Sequence, residues 1–194
     1  EAPTAQPVFY ETSVVARESA EGKPPGLTLV ARNVTDRKRR NKVFEARLRI
    51  GEFALTGDIP GLLRKVLDEA ELLTDSKIGF FHFVDEDQDY LRLQSWSTRT
   101  LAEFCTADYQ NNHYAVNQAG VWADCIRTKA PLIHNDYPNL PHKKGLPPGH
   151  AQMVREVVVP LLRDDKIVAV LGVGNKDKEY DQSDVDLLME LADL

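Results

Sequence analysis

Cysteine is scarce in these 194 residues: Cys105 and Cys125 are the whole complement, and no CxxC pair occurs. That speaks against a zinc knuckle or a disulfide framework and suits a reducing cytoplasm. Long apolar runs are missing too. The longest, VVVPLL at 157–162 and IVAVLGVG at 167–174, fall well short of the roughly 18 apolar residues a membrane-crossing helix needs and have the length of core strands. Positive charge is not in excess. With a formal net charge of −6 there is no general field to release counterions from nucleic acid or to hold an anionic lipid surface. The one basic run, RKRR at 37–40, reads as a solvated helix face. No basic-then-apolar leader opens the sequence. Glu1 stands where Met would start a chain, and the last residues, LMELADL, fall inside an apolar helical period, so a piece of a longer protein is expected.

What is present has an ordinary soluble composition, 42% hydrophobic, enough for one well-buried domain and an appendage. VFYETSVVAR (8–17) and LTLVARNVT (27–35), parted by the Pro- and Gly-punctuated ESAEGKPPG, predict a hairpin too small to stand alone. Thr35 or Asp36 can cap a helix that follows, in which Val43, Ala46, Ile50 and Phe53 fall at spacings of 3, 4 and 3. That seam fits a parallel homodimer, or equally a helix packed on its own domain. Thr56-Gly57 breaks the helix, and Asp58 caps a second one with Pro60 in its first turn and a stripe of Leu62, Leu63, Val66, Leu67, Ala70 and Leu73.

Period-two runs then predict two more hairpins, KIGFFHFV with YLRLQSW across the acidic turn DEDQD, and VREVVVPLL with KIVAVLGVG across RDD. Helix-compatible spacing covers 98–107 and 118–129, the latter with Val121 and Cys125 inward, and the final segment is helical with an acidic first turn. Beyond the first hairpin the order is two helices, a hairpin, two helical segments, a hairpin and a helix. This is not a βαβ repeat, and it predicts an α+β fold with a central antiparallel sheet flanked by helices.

Three stretches, SKIGFFHFVDEDQDYLRLQSWSTRT, GVWADCIRTKAPLIHNDY and LPHKKGLPPGHAQMVREVVVPLLRDDKIVAVLGVGNKDKEYDQSDVDLLMELADL, resemble a GAF domain of the subtype found in bacterial sensory histidine kinases and multidomain diguanylate cyclases. The likeness runs from about Ala46 to Leu194. Upstream, GLTLVARNVTDRKRR resembles the last strand and exit motif of a PAS domain, with Asn33 where that motif has Asp. The resemblance implies a GAF-like, PAS-like superfold divided as residues 1–35, a C-terminal PAS hairpin; 36–56, a linker helix; and 57–194, the GAF domain. It also implies a cytoplasmic input module that binds a small molecule and signals through its terminal helices to an output histidine kinase, or alternatively a cyclase. A ligand-free dimerisation and relay module is the competing reading.

The stretch HNDYPNLPHKKGLPPGH (134–150) carries three histidines in a segment whose prolines and glycines forbid a regular element, so it should cross the surface or the mouth of a pocket. In GAF domains the corresponding region covers a cavity on one face of the sheet. His134, His142 and His150 could in principle meet a metal with Asp136 or His113, but eight-residue gaps in a Pro-rich loop pre-organise nothing, and the spacing argues against a metal. His134 is expected to orient the turn, and His142, Lys143 and Lys144 to present charge at a cavity rim, or simply to be solvated. Trp96, Tyr114, Trp122 and Tyr137 offer flat, partly polar surfaces for a ring-bearing compound, with core packing as the plain alternative.

Arg155 and Glu156 open the most hydrophobic hairpin, and alternation sends one of them to each face; an inward charge there would be paired or would fix a ligand. Cys125 reads as an inert core thiol and Cys105 as core or pocket lining. Some GAF domains attach a bilin through a thioether, but the Cys-His pair of phytochromes is missing around Cys105, which argues against a tetrapyrrole. No nucleophile elbow, Walker loop or paired-carboxylate site occurs, so no catalytic residue is predicted.

Overall fold

The structure, a computed structural model, describes residues 7–17, 26–104, 113–144, 149 and 151–193. The chain forms two compact units, Glu1–Phe44 and Glu45–Leu194, with the boundary inside helix α1 (Thr35–Ala54).

The first unit holds the expected hairpin, β1 (Tyr10–Arg17) antiparallel to β2 (Gly26–Asn33), with Tyr10 opposite Asn33. Its β-branched and aliphatic residues favour extended backbone, yet Val14, Val15, Leu27, Leu29 and Val30 are exposed. Phe9 N–H donates to the Thr35 hydroxyl at 2.9 Å, and Val34 N–H donates to the Phe9 carbonyl at 2.8 Å. With its hydroxyl so engaged, Thr35 does not cap α1. Asn33 Oδ1 instead accepts the Thr35 N–H at 2.9 Å, an Asx-type bond at the helix start.

The second unit is built on one sheet. α2 (Ile59–Thr74) starts as expected, with Asp58 Oδ1 accepting the Gly61 N–H at 2.8 Å and Pro60 in the first turn, and ends at Asp75 in the left-handed region, φ 58°. There follow β3 (Ile78–Val84), β4 (Tyr90–Trp96), a π-helical turn at Thr100–Phe104, β5 (His113–Ala115), two 3-10 turns, α3 (Asp124–Thr128), β6 (Leu132–His134), β7 (Glu156–Arg163), β8 (Lys166–Gly174) and α4 (Gln182–Ala192). The six strands lie in the order β5-β4-β3-β8-β7-β6 and every pair is antiparallel. Both predicted hairpins form, and they join through β3 and β8 at the centre. The short edge strands β5 and β6 were not foreseen, and within 118–129 the α-helix is confined to α3, with a 3-10 turn at Val121–Ala123 before it.

Alternation divides the sheet's side chains between two cores. Phe81, Val157, Val159, Ala169, Leu171 and Val173 face the helices, meeting Ala46 and Ile50 of α1, Leu67 and Ala70 of α2, and Val185 and Leu188 of α4. Of the residues expected in the dimer seam, Val43, Ala46 and Ile50 are buried, and the Phe53 ring fills the space over Gly57 and Gly61. An i, i+3, i+4 stripe fits a groove of its own domain as well as it fits a second helix, and here the domain takes it. Among the described residues no helix is long and apolar enough to cross a membrane.

Candidate functional site

The other face of the sheet carries Ile78, Phe80, Val84, Val158 and Val170, roofed by the irregular connections rather than by long helices. Val116, Ala119, Val121, Ala123, Cys125 and Ile126 come from the 3-10 turns and α3, Tyr137 and Leu140 from the crossing segment, and Ala151 and Met153 from the approach to β7. Register sets two rows across this floor. One runs Leu132, Val158, Gly172, Phe80, Trp96, and the other His134, Glu156, Gly174, Ile78.

The first row is the aromatic end. A Cβ on Gly172 would stand 2.1 Å from the Phe80 ring, so glycine there makes room for the ring against β8. Phe80 meets Trp96 and Trp122 edge to face at centroid distances of 6.1 and 5.9 Å, and Trp122 stacks on His82 at 4.2 Å with 22° between the planes. Neither Phe80 nor His82 was singled out from the sequence. FFHF is apolar-rich on both faces, and only the alternation of 80 and 82 against 81 and 83 hints at a shared side.

The second row is the polar end. Glu156 is 1% exposed, and His134 Nδ1 lies 2.9 Å from its Oε1. Burial lifts the Glu156 carboxyl above the usual carboxylate range, with His134 opposing. Burial, and next the Glu156 charge, push the Cys125 thiol and the Tyr137 phenol each up to about 12, which makes the thiol inert. The inward member of the Arg155-Glu156 pair is thus the acid, paired as a buried charge should be.

The structure brings together Trp96, Trp122, His134, Tyr137 and Glu156 out of the expected ligand set. It sends others elsewhere. Arg155 Nη1 donates to the carbonyls of Lys176 and Asp177, both at 2.9 Å, and so braces the loop after β8. Asp136 is exposed and accepts from Asn139 Nδ2, His142 is exposed with Nε2 2.9 Å from Asp124 Oδ2, and Lys143 donates to the Pro138 carbonyl. These bonds hold the crossing segment down on itself and on α3, and place its charges on the outer surface. Cys105 lies outside the described residues, as does His150; of His113 and Tyr114 only the backbone, in β5, is described. Among the described residues no group of three or more His, Cys, Asp or Glu side chains could hold a metal ion.

A family model described as GAF domain matches residues 56–194. A curated relative, the methyl sulfide methyltransferase-associated sensor of Methanosarcina acetivorans, is 34% identical over 180 residues, which is 89% of this chain and 18% of the sensor. The chain therefore spans less than a fifth of that relative's length. The GAF domain of a phosphoenolpyruvate-protein phosphotransferase from Coxiella burnetii is similar with a TM-score of 0.64 at 11% identity, over 80% of this chain and 90% of that one. The free methionine-R-sulfoxide reductase of Neisseria meningitidis is similar with a TM-score of 0.60 at 17% identity, over 80% and 84% of the two chains. At such identities the structural likeness shows the fold alone.

Proposed function

The chain belongs to the GAF domain family, and from that premise we propose that it is an input module of a longer signalling protein, one that captures a small molecule between the sheet and its roof. The observation that carries this reading is the roofed face itself: an aromatic floor at one end, a buried carboxylate at the other, and a cover made of short turns rather than long helices. A relative named as a sensor supports it. The exposed hairpin β1–β2 belongs, in this reading, to the end of a PAS domain, and the output is a histidine kinase or, alternatively, a diguanylate cyclase.

A second reading has its own observation. Phe80 lying on Gly172 and Trp122 stacked on His82 fill the aromatic end with the chain's own rings, as a relay module without a ligand would. Native mass spectrometry and a thermal-shift screen against cyclic nucleotides, aromatic acids and tetrapyrroles separate the two. The ligand reading expects a one-to-one mass adduct and a raised Tm with at least one compound, weakened in Trp122→Ala. No adduct and no shift across the screen would leave the relay.

A further inference from the structure

One part of the roofed core is held from the opposite side of the sheet. Leu101 and Phe104, on the π-helical turn after β4, pack against the aromatic core. The residues that launch this turn are gripped by α2. Asp68 accepts from Thr98 twice, the N–H on Oδ1 and the hydroxyl on Oδ2, each at 2.8 Å. One helical turn on, Glu71 Oε1 accepts from the Ser97 hydroxyl and, at 3.3 Å, from the Thr100 hydroxyl, while Thr100 Oγ1 accepts the Gly79 N–H of β3 at 3.0 Å. Gly79 makes the room, since a Cβ there would stand 3.1 Å from Glu71 Oε1. Between these two acids, Glu69 takes both Oε atoms to Arg49 of α1 at 2.8 Å and receives Lys65 at 2.9 Å.

We infer that Asp68 and Glu71 couple the π-helical wall to α2, so that a displacement of Leu101 and Phe104 reaches α2 and, through Glu69 and Arg49, the C-terminal half of α1. Apolar packing alone would let a wall slide over its floor. A backbone N–H and three hydroxyls fixed to two carboxylates on one helix make the wall and the helix move as one piece. The crossing segment, by contrast, is tied to α3, to itself, to Asn117, to Val154 and to Tyr180, with no direct hydrogen bond to α2 among the described residues. As a route for a ligand signal this rests on the ligand reading above, but the coupling itself needs no ligand.

The test is an NMR cycle on the whole chain. Leu101→Ala perturbs the wall, and the Arg49 Nε–Hε resonance reports at the far end. In the otherwise native chain the substitution should shift that resonance and speed amide exchange over 67–72. In an Asp68→Ala, Glu71→Gln background the same substitution should leave both unchanged. An Arg49 resonance that ignores Leu101→Ala in the native background, or moves equally in both backgrounds, overturns the inference. If the double background does not fold, Thr98→Val at an exposed position cuts one clamp bond and should reduce the Arg49 shift; an undiminished shift overturns it likewise. A failed ligand screen leaves this coupling standing, and a failed cycle leaves the ligand reading standing.

Discussion

On the helix-covered face of the sheet, Lys176 Nζ sits 2.7 and 2.9 Å from the two oxygens of Asp184, and the Tyr180, Ser76 and Thr74 hydroxyls follow one another at 2.7 Å steps. On the roofed face, the buried Glu156 carboxylate is bonded to His134, and the core there also holds the Cys125 thiol and the Tyr137 phenol. The first arrangement is a closed chain that ties the end of α2, the exit of β8 and the start of α4 together. The second is acceptor-rich and covered by short turns whose own backbone ladders are brief. Two faces of one sheet therefore divide the work: one locks the elements, and the other keeps polar capacity under a cover that costs less to lift.

The largest effect should come from breaking the locked face. Lys176→Met leaves Asp184 buried without its partner and should lower stability by about 3–5 kcal/mol, read from the urea midpoint, whereas Lys176→Met with Asp184→Leu should recover most of it. On the roofed face, His134→Ala removes a single ring-nitrogen contact to Glu156, where Lys176 holds both oxygens of Asp184, so the loss should be smaller, about 1–3 kcal/mol. Equal losses from the two would erase the distinction.

Glu69 and Glu71 sharpen it by pH. The Arg49 hydrogen bond holds Glu69 below the usual carboxylate range against burial, while burial lifts Glu71 above it against Ser97 and Thr100. The stability from Glu69 is present above the ordinary carboxylate pKa and lost as pH falls through its lowered folded value. That from Glu71 is complete below the ordinary value and lost as pH rises through its raised one. Glu69→Gln should therefore cost most near neutral pH and least in acid, and Glu71→Gln the reverse, in denaturation curves taken across pH. The smallest effect belongs to the outer surface, where His142→Ala breaks an exposed contact to Asp124 and should change stability by under about 1 kcal/mol.

Much of the floor was legible because its strands are long. Period-two runs bounded by acidic turns marked both hairpins, and Asp164 and Asp165, at φ 48° and 63°, form the two-residue left-handed turn that suits strand twist. β5 and β6 span three residues each, too few to show a period. Alternation offers one of Arg155 and Glu156 as an inward charge without saying which; the structure puts Glu156 there, and its pairing with His134 depends on the β6–β7 register, which joins residues 22 apart and leaves no local mark. From their place in the proline-rich stretch His142 and Lys143 read either as rim charges or as solvated side chains; both are exposed, bonded to Asp124 and to the Pro138 carbonyl. The clamp of Asp68 and Glu71 on residues 97–100 was invisible for the same reason, since acids on an amphipathic helix ordinarily face water.

Amide hydrogen exchange across the two faces tests the division of labour most directly. The account predicts that the roof, residues 116–140, opens at a free energy well below global unfolding and exchanges more than about tenfold faster than α2 and α4, which exchange only when the unit unfolds. Protection of the roof equal to that of α4 would contradict it.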